Sequence, residues 1–206
     1  MTDLAETIGW VGNACFFSRF AIQWFVSEKA KRTVTPPVFW WLSLAGATLT
    51  GTAAFLMGLW LLLPAFVINS VIYARNLTFG EGRSRLGLVQ ATLIGAVVAT
   101  VLVYLGYTNN GWKTDVGNGF LVAGVIGQAI WSTRWLLQWW LSERSGASHL
   151  PVVFWWLSFV GAWLNIAYAS QLDTWVYVVG FMPSWFVPMR NLMLERRRRT
   201  AARGAA

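Results

Sequence analysis

A chain of 206 residues, 56% hydrophobic and only 12% charged, with a mean hydropathy of +0.51, has too little polar surface to cover a water-soluble fold. Its formal net charge of +8 would suit nucleic acid, but the basic residues follow apolar stretches and no base-reading motif accompanies them, so no nucleic-acid partner is expected. The single cysteine, Cys15, permits no internal disulfide, and no His/Cys/Asp/Glu spacing calls for a metal or other cofactor.

A helix that crosses about 30 Å of hydrocarbon needs roughly 20 apolar residues. Seven stretches qualify: 8–27, 37–55, 58–77, 86–107, 118–141, 152–170 and 174–193. Ahead of the first, Asp3 and Glu6 stand where a cleavable signal would be basic, so that stretch reads as part of the fold. Along it Gly12, Arg19, Gln23 and Ser27 fall at i, i+7, i+11 and i+15, close to one stripe of an α-helix. Arg19 lies about eight residues, or roughly 12 Å, from the helix end. An arginine near mid-bilayer costs roughly 2.5 to 3.5 kcal/mol and as a rule faces an interior. Glu28 lies just beyond, near the surface.

Pro36 suits the start of the second helix, because a missing N–H costs nothing there. The run VFWWLS at 38–43 places Trp40 and Trp41 one turn inside, either at headgroup level or lining a site for sugar or lipid. The third helix ends in Arg75-Asn76-Leu77, and the fourth, 86–107, connects. Then the chain repeats itself. Residues 9–77 lie over 124–192 at a constant offset of 115, without a gap and with 24 of 69 positions identical. The matches include Gly12/Gly127, Arg19/Arg134, Gln23/Gln138, Ser27/Ser142, Glu28/Glu143, VFWWLS at 153–158 with Trp155 and Trp156, and Arg190-Asn191-Leu192. Ser170–Asp173 marks a turn in the second copy and so places the break between the second and third helices at 55–58.

The fold class is therefore an all-α membrane protein of seven transmembrane helices arranged 3+1+3. Its parts are a first triple-helix repeat (1–80), a connecting helix (81–112), a second repeat (113–195) and a basic tail (196–206). Three helices plus one connector give both repeats the same orientation, a parallel rather than inverted duplication. Within each repeat the first and third helices are expected to pack together, the Gly12 face needing a close neighbour. Lys29, Lys31, Arg32, Arg75, Arg83, Arg85, Arg144, Arg190 and the Arg196–Arg199 run fall on one side, against Lys113 on the other. The N-terminus is thus expected outside and the C-terminus in the cytoplasm. The basic tail anchors against anionic lipid.

Two readings stand for the intramembrane groups. Arg19 and Arg134, with Gln23 and Gln138, can line a shared interior that binds a phosphate in bidentate fashion. Arg75, Asn76, Arg190 and Asn191 then form a second basic level, Trp40 and Trp155 line the site, and Ser27, Ser142, Glu28 and Glu143 assist. Alternatively, Arg19 pairs with Glu28 or a backbone carbonyl, Arg75 snorkels to the surface, and the tryptophans are interface anchors. The only histidine, His149, has Val34 as its counterpart, and no catalytic constellation is present.

SRFAIQWFVSEK, PPVFWWLS and YARNL in the first copy, and TRWLLQWWLSER, PVVFWWLS and MRNL in the second, resemble the lipid A biosynthesis N-terminal domain family over nearly the whole chain. Thr133 for Ser18, Arg144 for Lys29 and Met189 for Ala74 depart from the first copy and leave the charges and amides in place. The family takes its name from membrane segments attached to some lipid A disaccharide synthases, and is distantly similar to PQ-loop and SWEET transporters. The resemblance implies a carrier in the bacterial inner membrane, a multi-pass flippase for a phosphorylated glycolipid such as a polyprenyl-phosphate sugar. The alternative is a non-catalytic anchor or lipid-presenting subunit for a glycosyltransferase. Within these 206 residues no glycosyltransferase domain is expected.

Overall fold

The computed structural model describes residues 2–32, 34–77, 116–146, 150–172 and 174–204, together with 93, 97, 98, 100, 101, 104, 105 and 108. All regular structure among the described residues is helical: α1 (Thr2–Ala30), α2 (Pro37–Met57), a 3-10 turn (Trp60–Leu62) running into α3 (Leu63–Leu77), α4 (Asn118–Ser145), α5 (Val152–Ala169), α6 (Trp175–Phe181) and α7 (Pro183–Gly204). The connecting helix expected at 86–107 lies mostly outside the described residues, as do Arg83, Arg85, Lys113 and His149 and the side chains of Arg197–Arg199.

Prolines and glycines set the ends. Pro36 and Pro151, both extended (φ −69° and −71°), stand immediately before α2 and α5, so the second helix of each repeat starts where the proline puts it. α2 stops at Gly58, whose left-handed φ of 70° frees its N–H to meet Ala54 and Phe55 carbonyls. The break thus falls within one or two residues of the expected 55–58. Met182 interrupts the last helix for one residue ahead of Pro183, which has no N–H to give the ladder.

Among the described residues, four helices are long and apolar enough to cross a membrane: Pro37–Met57, Trp60–Leu77, Asn118–Ser145 and Val152–Ala169. Of the other expected spans, α1 has the length, but Asn13, Arg19 and Gln23 along its stripe dilute its apolarity. The last is divided at Met182 and runs on into the arginine run.

The helices close into a ring in chain order. α1 packs on α2, α2 on α3, α3 on α4, α4 on α5, α5 on α6 and α7, and these return to α1. The expected pairing of the first and third helices within a repeat does not occur; each first helix meets the third helix of the other repeat. The glycines explain why. A Cβ on Gly12 would lie 2.7 Å from Thr50 Cγ2, and one on Gly127 2.9 Å from Asn165 Nδ2, so the close approach serves the second helix. Gly9 and Gly124 sit where three helices converge, with Val176 and Leu61 of the opposite repeat 2.7 and 3.1 Å from the missing Cβ.

Candidate binding site between the two repeats

The inward stripes of α1 and α4 meet in the middle of the ring, and their polar groups fall into tiers. In the deepest shared tier Arg19 and Arg134 are 3% and 2% exposed. Arg19 Nη1 donates to Ser43 Oγ at 2.8 Å and Arg134 Nη1 to Ser158 Oγ at 2.6 Å. Each serine in turn donates to a carbonyl on its own helix, Phe39 or Phe154. Aromatic rings hold the guanidinium planes. Arg19 Cζ lies 4.4 and 4.6 Å from the Phe16 and Phe20 rings, and Arg134 Cζ 3.6 and 5.2 Å from Trp131 and Trp135, the residues at the equivalent positions. Both arginines also approach one ring, Trp135, with Arg19 Cζ at 5.8 Å.

Neither cation forms an ion pair among the described residues. Around Arg134 the imbalance is one of donors. Arg134 Nη2, Trp135 Nε1 and Trp155 Nε1 are buried without an acceptor, and all three residues line a single small space of about 10 Å³. Arg19, whose Nε also lacks an acceptor, lines a second space of about 30 Å³ with Asn13, Asn69 and Tyr73. A cavity needs roughly 10 to 15 Å³ to hold one water, so each of these two spaces has room for no more than a water or two.

The next tiers cross between repeats. Gln23 and Asn191 exchange amide hydrogen bonds at 3.2 and 3.5 Å, and Gln138 and Asn76 do so at 3.1 and 3.3 Å. Gln23 also donates to Ser27 and Gln138 to Ser142, each one turn further on. At the helix ends Arg75 pairs with Glu143 at 2.7 Å, and Arg190 pairs with Glu28. Trp24 and Trp139 indoles donate to the same two carboxylates. Every one of these bonds to Asn76, Asn191, Arg75 and Arg190 runs from the third helix of one repeat to the first helix of the other.

The residues read from the sequence are thus brought together, but with partners the sequence did not name. Arg19 pairs with Ser43, not with Glu28, because Glu28 is taken by Arg190 of the opposite repeat. Arg75 does not snorkel: it is 4% exposed and held by Glu143. The two-level track is occupied by these contacts. Trp40 and Trp155 are buried at 2% and 1%, whereas their neighbours Trp41 and Trp156 are 61% and 56% exposed, so only the second tryptophan of each pair can meet the surroundings. Trp40 instead packs on Tyr73 of its own repeat and, across the repeat boundary, on Trp135.

A further tier escaped the sequence reading. Asn13 Nδ2 donates to the Val176 carbonyl at 2.6 Å, and Gln128, its equivalent, donates to Asn165 Oδ1 at 2.6 Å. Asn69 and its equivalent Ser184 are also buried. Identity between copies could not reveal these pairs, since polarity is kept while the residue changes; a search for equivalent polar positions would have found them.

Comparison with known proteins comes to the same two blocks of residues. The chain is 30% identical over 202 residues to the lipid-A-disaccharide synthase of Chlamydia felis (strain Fe/C-56), with 91% of this chain and 32% of that protein covered. It is 30% identical over 203 residues to that of Chlamydia pneumoniae (93% and 33% covered). Against that of Chlamydia trachomatis serovar D it is 25% identical over 207 residues (92% and 34%). The chain spans about a third of the length of these curated relatives. No solved structure matches it. Residues 8–78 and 123–193 each match the Lipid A Biosynthesis N-terminal domain, so the chain belongs to that family, with the domain present twice.

Proposed function

We propose that this chain is a multi-pass carrier of the bacterial inner membrane that moves a phosphorylated glycolipid, such as a polyprenyl-phosphate sugar or another lipid phosphate, during envelope glycolipid assembly. In this reading seven helices span the bilayer as 3+1+3, the parallel repeats are related by a rotation of about 180° about the membrane normal, and the N-terminus is outside. One observation supports it above all: a donor-only cluster of Arg134 Nη2, Trp135 Nε1 and Trp155 Nε1, with neither Arg134 nor Arg19 paired to a carboxylate among the described residues. Such a cluster wants an acceptor-rich anion, and a phosphate offers several oxygens in the geometry a guanidinium fork prefers. The charged head alone would need these groups, since the apolar tail stays in lipid. In this reading the small spaces beside the arginines mark where the headgroup is held, and the crossed Gln–Asn and Arg–Glu contacts lie on its cytoplasmic side.

A second reading is favoured by the company the domain keeps: its relatives are lipid-A-disaccharide synthases about three times as long. There the module would hold or present a lipid to a glycosyltransferase and move nothing. Neither reading has this chain make a glycosidic bond.

Leaflet-specific transport of a labelled polyprenyl-phosphate sugar in proteoliposomes separates them. A carrier empties the loaded leaflet, and Arg19→Ala or Arg134→Ala abolishes this with insertion intact. Lipid bound but retained in its leaflet gives the module to the presenter. Incubation of the purified protein with a nucleotide sugar and an acceptor lipid tests the third class. A new glycolipid, lost in Glu28→Gln or Glu143→Gln, would make the chain an enzyme.

A further inference from the structure

The space beside Arg19 differs in chemistry from the one beside Arg134, and we infer that it binds water, held by Arg19 and Asn69, and not an anion. Its lining leaves one group of each kind over. Arg19 Nε is a buried donor without an acceptor, and Asn69 Oδ1 is a buried acceptor without a donor. A water answers both, accepting from the first and donating to the second. A phosphate dianion offers acceptors only, and would set oxygen against oxygen at Asn69. The size agrees, since about 30 Å³ takes a water or two and no larger head.

Asn69 is the exception among the buried asparagines. Asn13, Asn76, Asn165 and Asn191 each donate to a backbone carbonyl at 2.6 to 3.0 Å. Asn69, 2% exposed, makes no hydrogen bond through either end of its amide among the described residues. Its equivalent Ser184 lines the same space and is equally buried. Ser43, Ser70 and Ser158 donate to the carbonyl four residues back, but Ser184 has no such bond. Buried polar groups are bonded as a rule. Three left over around one space, from α1, α3 and α7, give a water the two to four partners it needs.

The two copies differ in the direction this requires. At the offset of 115, Phe20 corresponds to Trp135 and Asn69 to Ser184. An indole N–H therefore borders the Arg134 space where the first copy has a phenyl ring, and the amide acceptor borders the Arg19 space alone. One half collects donors, and the other balances them. The water does not rest on the carrier reading. What it adds to that reading is that the phosphate falls to the second repeat, with Arg19 kept in a neutral, hydrated setting.

X-ray hydroxyl-radical footprinting of the full chain in phosphatidylcholine nanodiscs tests this, because radicals formed from a bound water modify the side chains around it. Tyr73, 1% exposed, lines the Arg19 space, whereas Tyr168, 4% exposed, lines neither space. Tyr73 should be modified several-fold faster than Tyr168. Asn69→Leu should bring Tyr73 down to the Tyr168 rate, and Asn69→Met serves where that variant does not fold. Added dodecyl phosphate should slow modification of Trp155, which lines the Arg134 space, and leave Tyr73 unchanged. Tyr73 no faster than Tyr168, or equally fast in the Asn69 variants, overturns the assignment. So does dodecyl phosphate that slows Tyr73 as much as Trp155, since the Arg19 side would then take anions too. Dodecyl phosphate that slows neither, with Tyr73 fast and dependent on Asn69, upholds the water and removes the anion site instead.

Discussion

Replacing Arg134 by methionine separates a strut from a binding group. On the unfavourable side, a guanidinium near mid-bilayer costs roughly 2.5 to 3.5 kcal/mol. On the favourable side stand one charge-assisted hydrogen bond to Ser158 at 2.6 Å, about 1.5 to 3 kcal/mol, and a ring contact with Trp131 at 3.6 Å, about 1 to 2 kcal/mol when desolvated. These nearly cancel. Methionine fills a similar volume, and Ser158 keeps its bond to the Phe154 carbonyl, so no new unsatisfied group appears on that side. Arg134→Met should therefore change unfolding stability by less than about 2 kcal/mol in either direction. A short-chain lipid phosphate at a hundred times its Kd should stabilise the unmodified protein by about 2.7 kcal/mol and the variant hardly at all. Thermal unfolding in mild detergent, with and without the lipid, reads both quantities. A loss above about 4 kcal/mol without any lipid-dependent stabilisation of the original would make the arginine structural and sink the anion site.

Four further outcomes follow from the same geometry. A double-mutant cycle on Gln138 and Asn76 should give a coupling of about 1 kcal/mol, with a smaller value for Gln23 and Asn191, whose second contact is stretched to 3.5 Å; equal couplings would contradict this. Gly12→Leu and Gly127→Leu should each destabilise by about 1 to 3 kcal/mol, because a Cβ already meets Thr50 or Asn165 within 3 Å; unchanged melting temperatures would refute the close packing. Arg75→Leu should cost about 3 kcal/mol and Arg190→Leu less than about 1 kcal/mol, since Arg75 is 4% and Arg190 24% exposed; the reverse order in chemical unfolding would overturn the ranking. On a Cys15→Ser background, Lys31→Cys should react with an impermeant thiol reagent only from the cytoplasmic side and Asp3→Cys only from outside. The opposite pattern would reverse the orientation.

The duplication made much of this legible before any coordinates. A residue kept at 115 spacing in both copies, such as Arg19, Gln23 or Asn76, proved to be buried and bonded in the same way twice. Helix starts were legible too, since Pro36 and Pro151 act locally. What one stripe packs against is not a local property. Gly12 announces a close neighbour but not which helix supplies it, and so Thr50 on α2 was missed in favour of the third helix. Ser43 and Ser158 were in view inside VFWWLS, but their role depends on an arginine 24 residues away that sequence spacing alone does not bring near. The tryptophans show the same limit. Trp40 and Trp41 are chemically identical neighbours, and only the direction of α2 decides that one is buried and the other exposed.

The crossed contacts carry an implication about descent. Gln23, Glu28, Asn76 and Arg75 of the first repeat have their counterparts' bonds in the second and none of those bonds within their own. A one-repeat ancestor that met a second copy of itself would have closed the same ring with two identical sets of contacts. Fusion then released the copies from having to be alike: one was free to acquire Trp163 and Trp185 while the other kept Thr48 and Ser70. Inheritance from a symmetric pair thus accounts for both kinds of position, the crossed contacts that each copy kept and those, from Phe16 against Trp131 to Thr48 against Trp163, on which each went its own way.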